Sequence, residues 1–267
     1  MKIASATIEI RPRKITEMID LATLFYRTHF RVIFGLLAVL GVPIVLFACG
    51  VHYLTGQAWL AILLFWLLLP LPAGAVVLAA SRIVFGTHLT VRRALKLYGP
   101  LWAGLFLRRL WQNLITLLLM PVIAGFALRL RWAFTPMIVL LERLSGRPLA
   151  LRRVGLNRRG GASSFGMDLL VGMVCGTLVL SLTIVIELIC SDFLSLWHDS
   201  GLFSLEVFDD PVRLGLWMLA ALLVSPIAHL SWFFFYINAR IRGEGWDLEL
   251  GLKAAAARLP NRREDAA

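Results

Sequence analysis

The sequence predicts an all-α fold, a polytopic membrane helix bundle, and three observations carry that prediction. Of 267 residues, 59% are hydrophobic and only 16% charged, against about 45–50% apolar and about 25% charged in a soluble domain. The apolar residues gather into runs of roughly 20, enough to cross a ~30 Å hydrocarbon core at 1.5 Å per residue. Between the runs, Lys and Arg fall into four blocks of six, at 1–31, 82–109, 143–159 and 240–263, with only Arg129, Arg131 and Arg213 outside them.

Residues 1–31 form a charged amphipathic segment. Ile15, Met18, Ile19, Ala22 and Tyr26 recur at helical spacing with charges between them, the pattern of a helix lying against an apolar surface or in the headgroup region. The first apolar run begins only at Val32, later than a signal peptide would place it, so this segment is expected to be retained.

The membrane bundle is expected over 32–237. Clear spans read at 32–54, 58–81, 165–190 and 213–237. The stretch 111–142 is less regular. "WQNLITLLLMPVIAGFAL" carries Pro121 and Gly125, Arg129 and Arg131 follow, and "WAFTPMIVLL" then ends at Glu142. Two segments are expected there, 111–128 and 130–142. The positive-inside rule places all four basic blocks, and both termini, on the cytoplasmic side. The chain must therefore enter and return on one side between 111 and 142, as a pair of spans or as a re-entrant hairpin. The result is six membrane segments in three hairpins. The loop 191–212, with Asp192, Asp199, Glu206, Asp209 and Asp210, faces outward. "LTVRRALKLYGPLW" and "PLALRRVGLNRRGG" have the amphipathic character of 15–29, and three units of amphipathic helix plus hairpin are expected.

Residues 238–267 form a cytoplasmic helix and tail. "FFFYINARIRGEGWDLEL" passes from aromatics to a charged cluster. Arg240 and Arg242 fall at headgroup level, Gly243 and Gly245 end the span, Trp246 anchors at the interface, and Asp247 caps a helix at 248–259. With Glu244, these residues are the candidate lipid or partner contacts.

The net charge of +11 suits anionic lipid headgroups. It does not indicate nucleic acid, because no basic stretch carries interleaved aromatics on a polar domain. No zinc-protease, nucleophile-elbow, phosphate-loop or dinucleotide pattern occurs, so no catalytic, cofactor or metal residue is assigned. Cys49, Cys175 and Cys190 lack metal spacing and read as small buried hydrophobes, with a disulfide between Cys49 and Cys190, near one face, as the alternative. Ionisable residues at membrane depth are the remaining candidates. Glu187 and His229 could form a proton relay, or His229 could bond a carbonyl freed by Pro226. Arg129 and Arg131 either snorkel at the outer face or pair inside the membrane with an acid such as Glu187. Asp168 sits just inside the fifth segment.

"RPRKITEMIDLATLFYRTHF", "LRLRWAFTPMIVLLERLSGRPLALRR" and "FYINARIRGEGWDLEL" together resemble a group of uncharacterised bacterial six-segment integral membrane proteins. That group is close to the membrane region found beside some glycerophosphodiester phosphodiesterases. The catalytic barrel of those enzymes has no counterpart in this sequence, so its activity is not carried over. The resemblance implies a bacterial inner membrane and partners that include other membrane proteins and an AAA+ ATPase of the MoxR type. Without a catalytic pattern, the protein is expected to be a scaffold or subunit of an envelope complex. The alternative is a small transporter or channel with a polar path between broken helices, for which Pro70, Pro72, Pro121, Gly125 and Pro136 supply the breaks.

Overall fold

A computed structural model describes residues 13–120, 124–190 and 209–244. Every regular element among them is helical. Helix α1 (Ile15–Thr28) buries Met18, Ile19, Ala22 and Phe25, one face at helical spacing. It lays that face on the last helix, where Phe25 meets Phe234 edge-on with ring centroids 5.8 Å apart.

Helices α2 (Phe30–Leu40) and α3 (Val42–Thr55) form one apolar span interrupted at Gly41, with a proline in the first turn of α3. A tight turn at Gly56, with φ 67°, reverses the chain. Helices α4 (Ala58–Leu68) and α5 (Pro70–Val84) return as a second span, broken at Leu69. Helix α6 (Val91–Tyr98) buries Ala94 and Tyr98 while Arg92, Arg93 and Lys96 face outward.

Helix α7 (Trp102–Leu119) and helix α8 (Ala124–Trp132) form a tight hairpin. A short helix α9 (Thr135–Met137) then runs into a π-helical turn, Ile138–Glu142. Helix α10 (Gly146–Leu188) continues for 43 residues. Helix α11 (Pro211–Glu244) closes the bundle.

Five stretches are long and apolar enough to cross a membrane: Phe30–Thr55, Ala58–Val84, Ala124–Glu142, Ser163–Leu188 and Pro211–Gly243. Helix α7 is not among them, because Arg108, Arg109, Gln112 and Asn113 interrupt its apolar character. The chain is a membrane protein built as a helical bundle. Helix α11 is its centre, with 67% of its most apolar window buried against 11% for α10. Outward-facing Leu46, Phe47, Trp59, Met173 and Val185 form the apolar exterior that lipid would cover.

Several expectations change. The amphipathic stretch after Gly146 and the fifth segment are one uninterrupted helix, which continues through Gly155, Gly160 and Gly161. The hairpin expected at 111–142 begins at Trp102, and its second helix is already under way from Ala124 rather than starting near Arg129. Arg129 and Arg131 therefore lie along the second arm and not at a turn. Gly243 does not end α11, which runs to Glu244. Trp246, Asp247 and the helix expected at 248–259 lie outside the described residues, as does most of the acidic loop. Cys49, Cys175 and Cys190 are all free thiols.

Candidate functional site

Three prolines surround one cavity of about 290 Å³, two at helix starts and Pro226 inside the continuous α11. Pro70 falls midway along the α4–α5 span and Pro226 midway along α11, with Pro136 in the short α9. A proline leaves the carbonyl four residues earlier without its helical donor. For Pro70 and Pro226 these carbonyls belong to Trp66 and Leu222, whereas Trp132, four residues before Pro136, ends α8. Trp66, Trp132, Pro70 and Pro136 all line the cavity. The Leu222 carbonyl is taken by the Ser225 hydroxyl at 2.8 Å, which leaves His229 without that role. His229 faces the same cavity, and its Nε2 is buried with no hydrogen-bond partner.

The polar groups of the cavity come from four elements. Helix α7 supplies Arg109, Gln112, Asn113 and Thr116; α8 supplies Arg129; α10 supplies Asp168; α11 supplies Ser225 and His229. Their helical spacing is visible on α7, where 109, 112, 113 and 116 fall on one face. Arg129 Nη2 lies 3.3 Å from Asp168 Oδ1, the aspartate side chain being 8% exposed and the arginine 55%. Arg109 Nη2 donates to the Ala133 carbonyl at 3.5 Å, at the break between α8 and α9. No carboxylate among the described residues pairs with it. Gln112 Nε2 reaches Thr135 Oγ1 at 3.5 Å, and Gln112 Oε1 is buried without a partner. Two guanidinium groups against one carboxylate give this interior an excess of positive charge.

Glu187 belongs elsewhere. Its carboxylate accepts from buried Arg213 Nε at 3.0 Å and from half-buried Trp217 Nε1 at 3.1 Å. Along α10 it lies about 28 Å from Asp168 at ~1.5 Å per residue. It therefore neither pairs with Arg129 nor joins His229 in a relay. The partner of Arg129 is Asp168, and Phe126 against Phe165, with centroids 5.8 Å apart, fixes the same register between α8 and α10. Arg131 turns away from the cavity, and its backbone carbonyl accepts from Asn157 Nδ2 at 2.8 Å.

A second polar centre sits around Glu142. Arg152 binds its carboxylate in bidentate fashion, with Nε 2.8 Å from Oε2 and Nη2 3.0 Å from Oε1. Tyr236 donates its hydroxyl to Oε1, and Arg240 Nη1 lies 3.8 Å away with its guanidinium 5.9 Å from the Tyr236 ring centre. Nearby, Arg13 N donates to Asn238 Oδ1 at 2.9 Å and Arg242 Nη2 to the Arg13 carbonyl at 2.8 Å. Residues far apart in the chain, Arg13, Glu142, Arg152 and Tyr236 to Arg242, thus meet at one end of the bundle. Glu142 was legible only as the end of an apolar run, and Arg109 only as one member of a basic block. The chain matches no protein-family model, no curated protein and no solved structure.

Proposed function

We propose that the protein is a small transporter for an anionic solute, with its binding site in the proline-broken cavity. The observation that carries this reading is Arg109, an interior cation with a backbone carbonyl but no carboxylate for a partner among the described residues. Its setting suits transport. Discontinuous helices at mid-membrane expose carbonyls and leave donors aimed at a cavity, and transporters bind substrate at such breaks. An incoming anion would meet Arg109, Gln112 and Asn113 on α7, and its charge would offset the excess of the site.

The alternative is a scaffold or subunit of a membrane complex, including one assembled with a MoxR-type ATPase. That reading rests on the charges after Tyr236. Arg240 and Arg242 point to Glu142 and to the Arg13 carbonyl, so intramolecular bonds engage both, and the cavity offers the stronger basis.

The test is uptake of labelled phosphate, sulfate and small carboxylates into proteoliposomes. Uptake of at least one anion is expected above that of empty liposomes, with Arg109→Gln reducing it at least tenfold. Uptake equal to empty liposomes across the panel would remove the transporter reading.

A further inference from the structure

Three arginines from three helices, none of them lining the cavity, lie near enough for the charges of Arg108 and Arg131 to act on Arg153. Arg108 precedes Arg109 on α7, so it points about 100° around the helix from the cavity-facing side. Arg131 lies in the last turn of α8. Arg153 lies on α10, one turn before Asn157, whose Nδ2 bond to the Arg131 carbonyl at 2.8 Å ties α10 to α8. Elsewhere in the described bundle, arginines pair with acids: Arg129 with Asp168, Arg152 and Arg240 with Glu142, Arg213 with Glu187. Among the described residues, Arg108, Arg131 and Arg153 have no such acid. Two of the three also carry unsatisfied atoms: Arg108 Nη1 and Arg153 Nε are buried with no hydrogen-bond partner, as is Asn157 Oδ1 beside them, while Arg131 is exposed.

Such a group is costly by itself. A buried donor on a charged side chain without an acceptor is destabilising. Burial lowers the pKa of Arg153, and the nearby charges of Arg131 and Arg108 lower it further. Like charges gathered from three elements call for a counter-anion. The surroundings indicate its form. Leu107 and Trp111 on α7 and Leu151 and Val154 on α10 are exposed beside the cluster, and Arg153 lies on the stretch of α10 that precedes its apolar part at Ser163.

We propose that Arg108, Arg131 and Arg153 form a phosphate site, distinct from the cavity, that holds a phosphate group at the bundle surface. Guanidinium forks match phosphate oxygens in bidentate geometry, and the exposed side chains on either side suit the acyl chains of a phospholipid. The phosphate has two chemical sources, a lipid headgroup or free inorganic phosphate, and the test separates them.

The full chain is purified in a zwitterionic detergent, and bound lipid is counted by native mass spectrometry after addition of phosphatidylglycerol or phosphatidylcholine. One tightly held phosphatidylglycerol is expected, with at least tenfold weaker binding to Arg108→Gln plus Arg153→Gln. Arg92→Gln plus Arg93→Gln removes the same charge from exposed positions on α6 and is expected to leave binding unchanged. If millimolar inorganic phosphate raises the melting temperature of the wild type but not of the variant, and no lipid is retained, free phosphate is the ligand. Melting of the variant without added ligand reports whether it folds; if it does not, Arg153→Gln alone replaces it. Equal binding of both lipids by wild type and variant, with no effect of phosphate, would overturn the proposal. Anion uptake through the cavity is read separately, so failure of one does not decide the other.

Discussion

At the scale of single residues, the charged side chains differ by how well their partners satisfy them. Glu187 and Arg213 are both deeply buried and hydrogen-bonded, with Trp217 completing the set. Breaking a buried pair by removing one partner costs about 3–5 kcal/mol. Glu187→Gln is therefore expected to lower stability by that order, read as a shift in thermal melting in detergent. Glu142 is more accessible, and the expected loss for Glu142→Gln is smaller, about 1–3 kcal/mol. Around Glu142 the two arginines are not equivalent. Arg152 uses a bidentate fork, whereas Arg240 makes one long contact of 3.8 Å. Lysine keeps charge but not the fork, so Arg152→Lys is expected to destabilise measurably while Arg240→Lys is nearly neutral; equal losses would contradict the assignment. Arg129 and Asp168 give a further asymmetry. Arg129→Gln strands a buried carboxylate, while Asp168→Asn strands a half-exposed guanidinium. The arginine substitution should be the more damaging of the two in the same melting assay.

At the scale of elements, the α7–α8 hairpin depends on one small residue. A Cβ at Gly125 would lie 2.5 Å from the Thr116 carbonyl oxygen, 2.6 Å from the Met120 nitrogen and 2.7 Å from the Leu119 carbonyl carbon. These are backbone atoms and cannot rotate away, so Gly125→Ala must part the two helices. Overpacking costs about 1–3 kcal/mol, and because α7 and α8 both line the cavity, anion uptake should fall with stability. Gly172, on α10, has open space around its would-be Cβ. Gly172→Ala should be neutral or stabilising by up to ~1 kcal/mol, through helix propensity alone. The break in α11 is protected differently. Ser225 returns a hydrogen bond to the carbonyl that Pro226 orphans, and Ser225→Ala is expected to cost about 0.5–1.5 kcal/mol.

At the scale of the whole molecule, the ends of the bundle carry different chemistry. Arg13, Glu142, Arg152, Tyr236 and Arg240 gather at one end. Gly56, Gln57 and Asp209 border one shallow recess at the other. If the positive-inside rule sets orientation, a cysteine at Ser145 should be labelled only from the cytoplasmic side and one at Gln57 only from the opposite side. Both are placed in a chain lacking Cys49, Cys175 and Cys190. Labelling of both from one side would end the three-hairpin topology. An insertion near Gly155 is a poor probe, because it would interrupt the continuous α10.

The sequence by itself determined the class of the molecule. Apolar run length marks spans, a property of the chain in a bilayer that needs no tertiary contact. The amphipathic faces of α1 and α6 were legible for the same reason, since helical spacing is local. The continuity of α10 was less so, because a polar stretch and an apolar stretch look like two elements until packing shows that no cap parts them. Which acid meets which arginine was not legible at all. Asp168 and Arg129 are 39 positions apart and Glu142 and Tyr236 94 positions apart, and their pairing depends on how α8, α10 and α11 pack. The cavity is likewise tertiary. Pro70, Pro136 and Pro226 are visible as helix breaks, but only packing turns the first two of those breaks, and Ser225 beside the third, toward one interior space, where Arg109 is left without an acid.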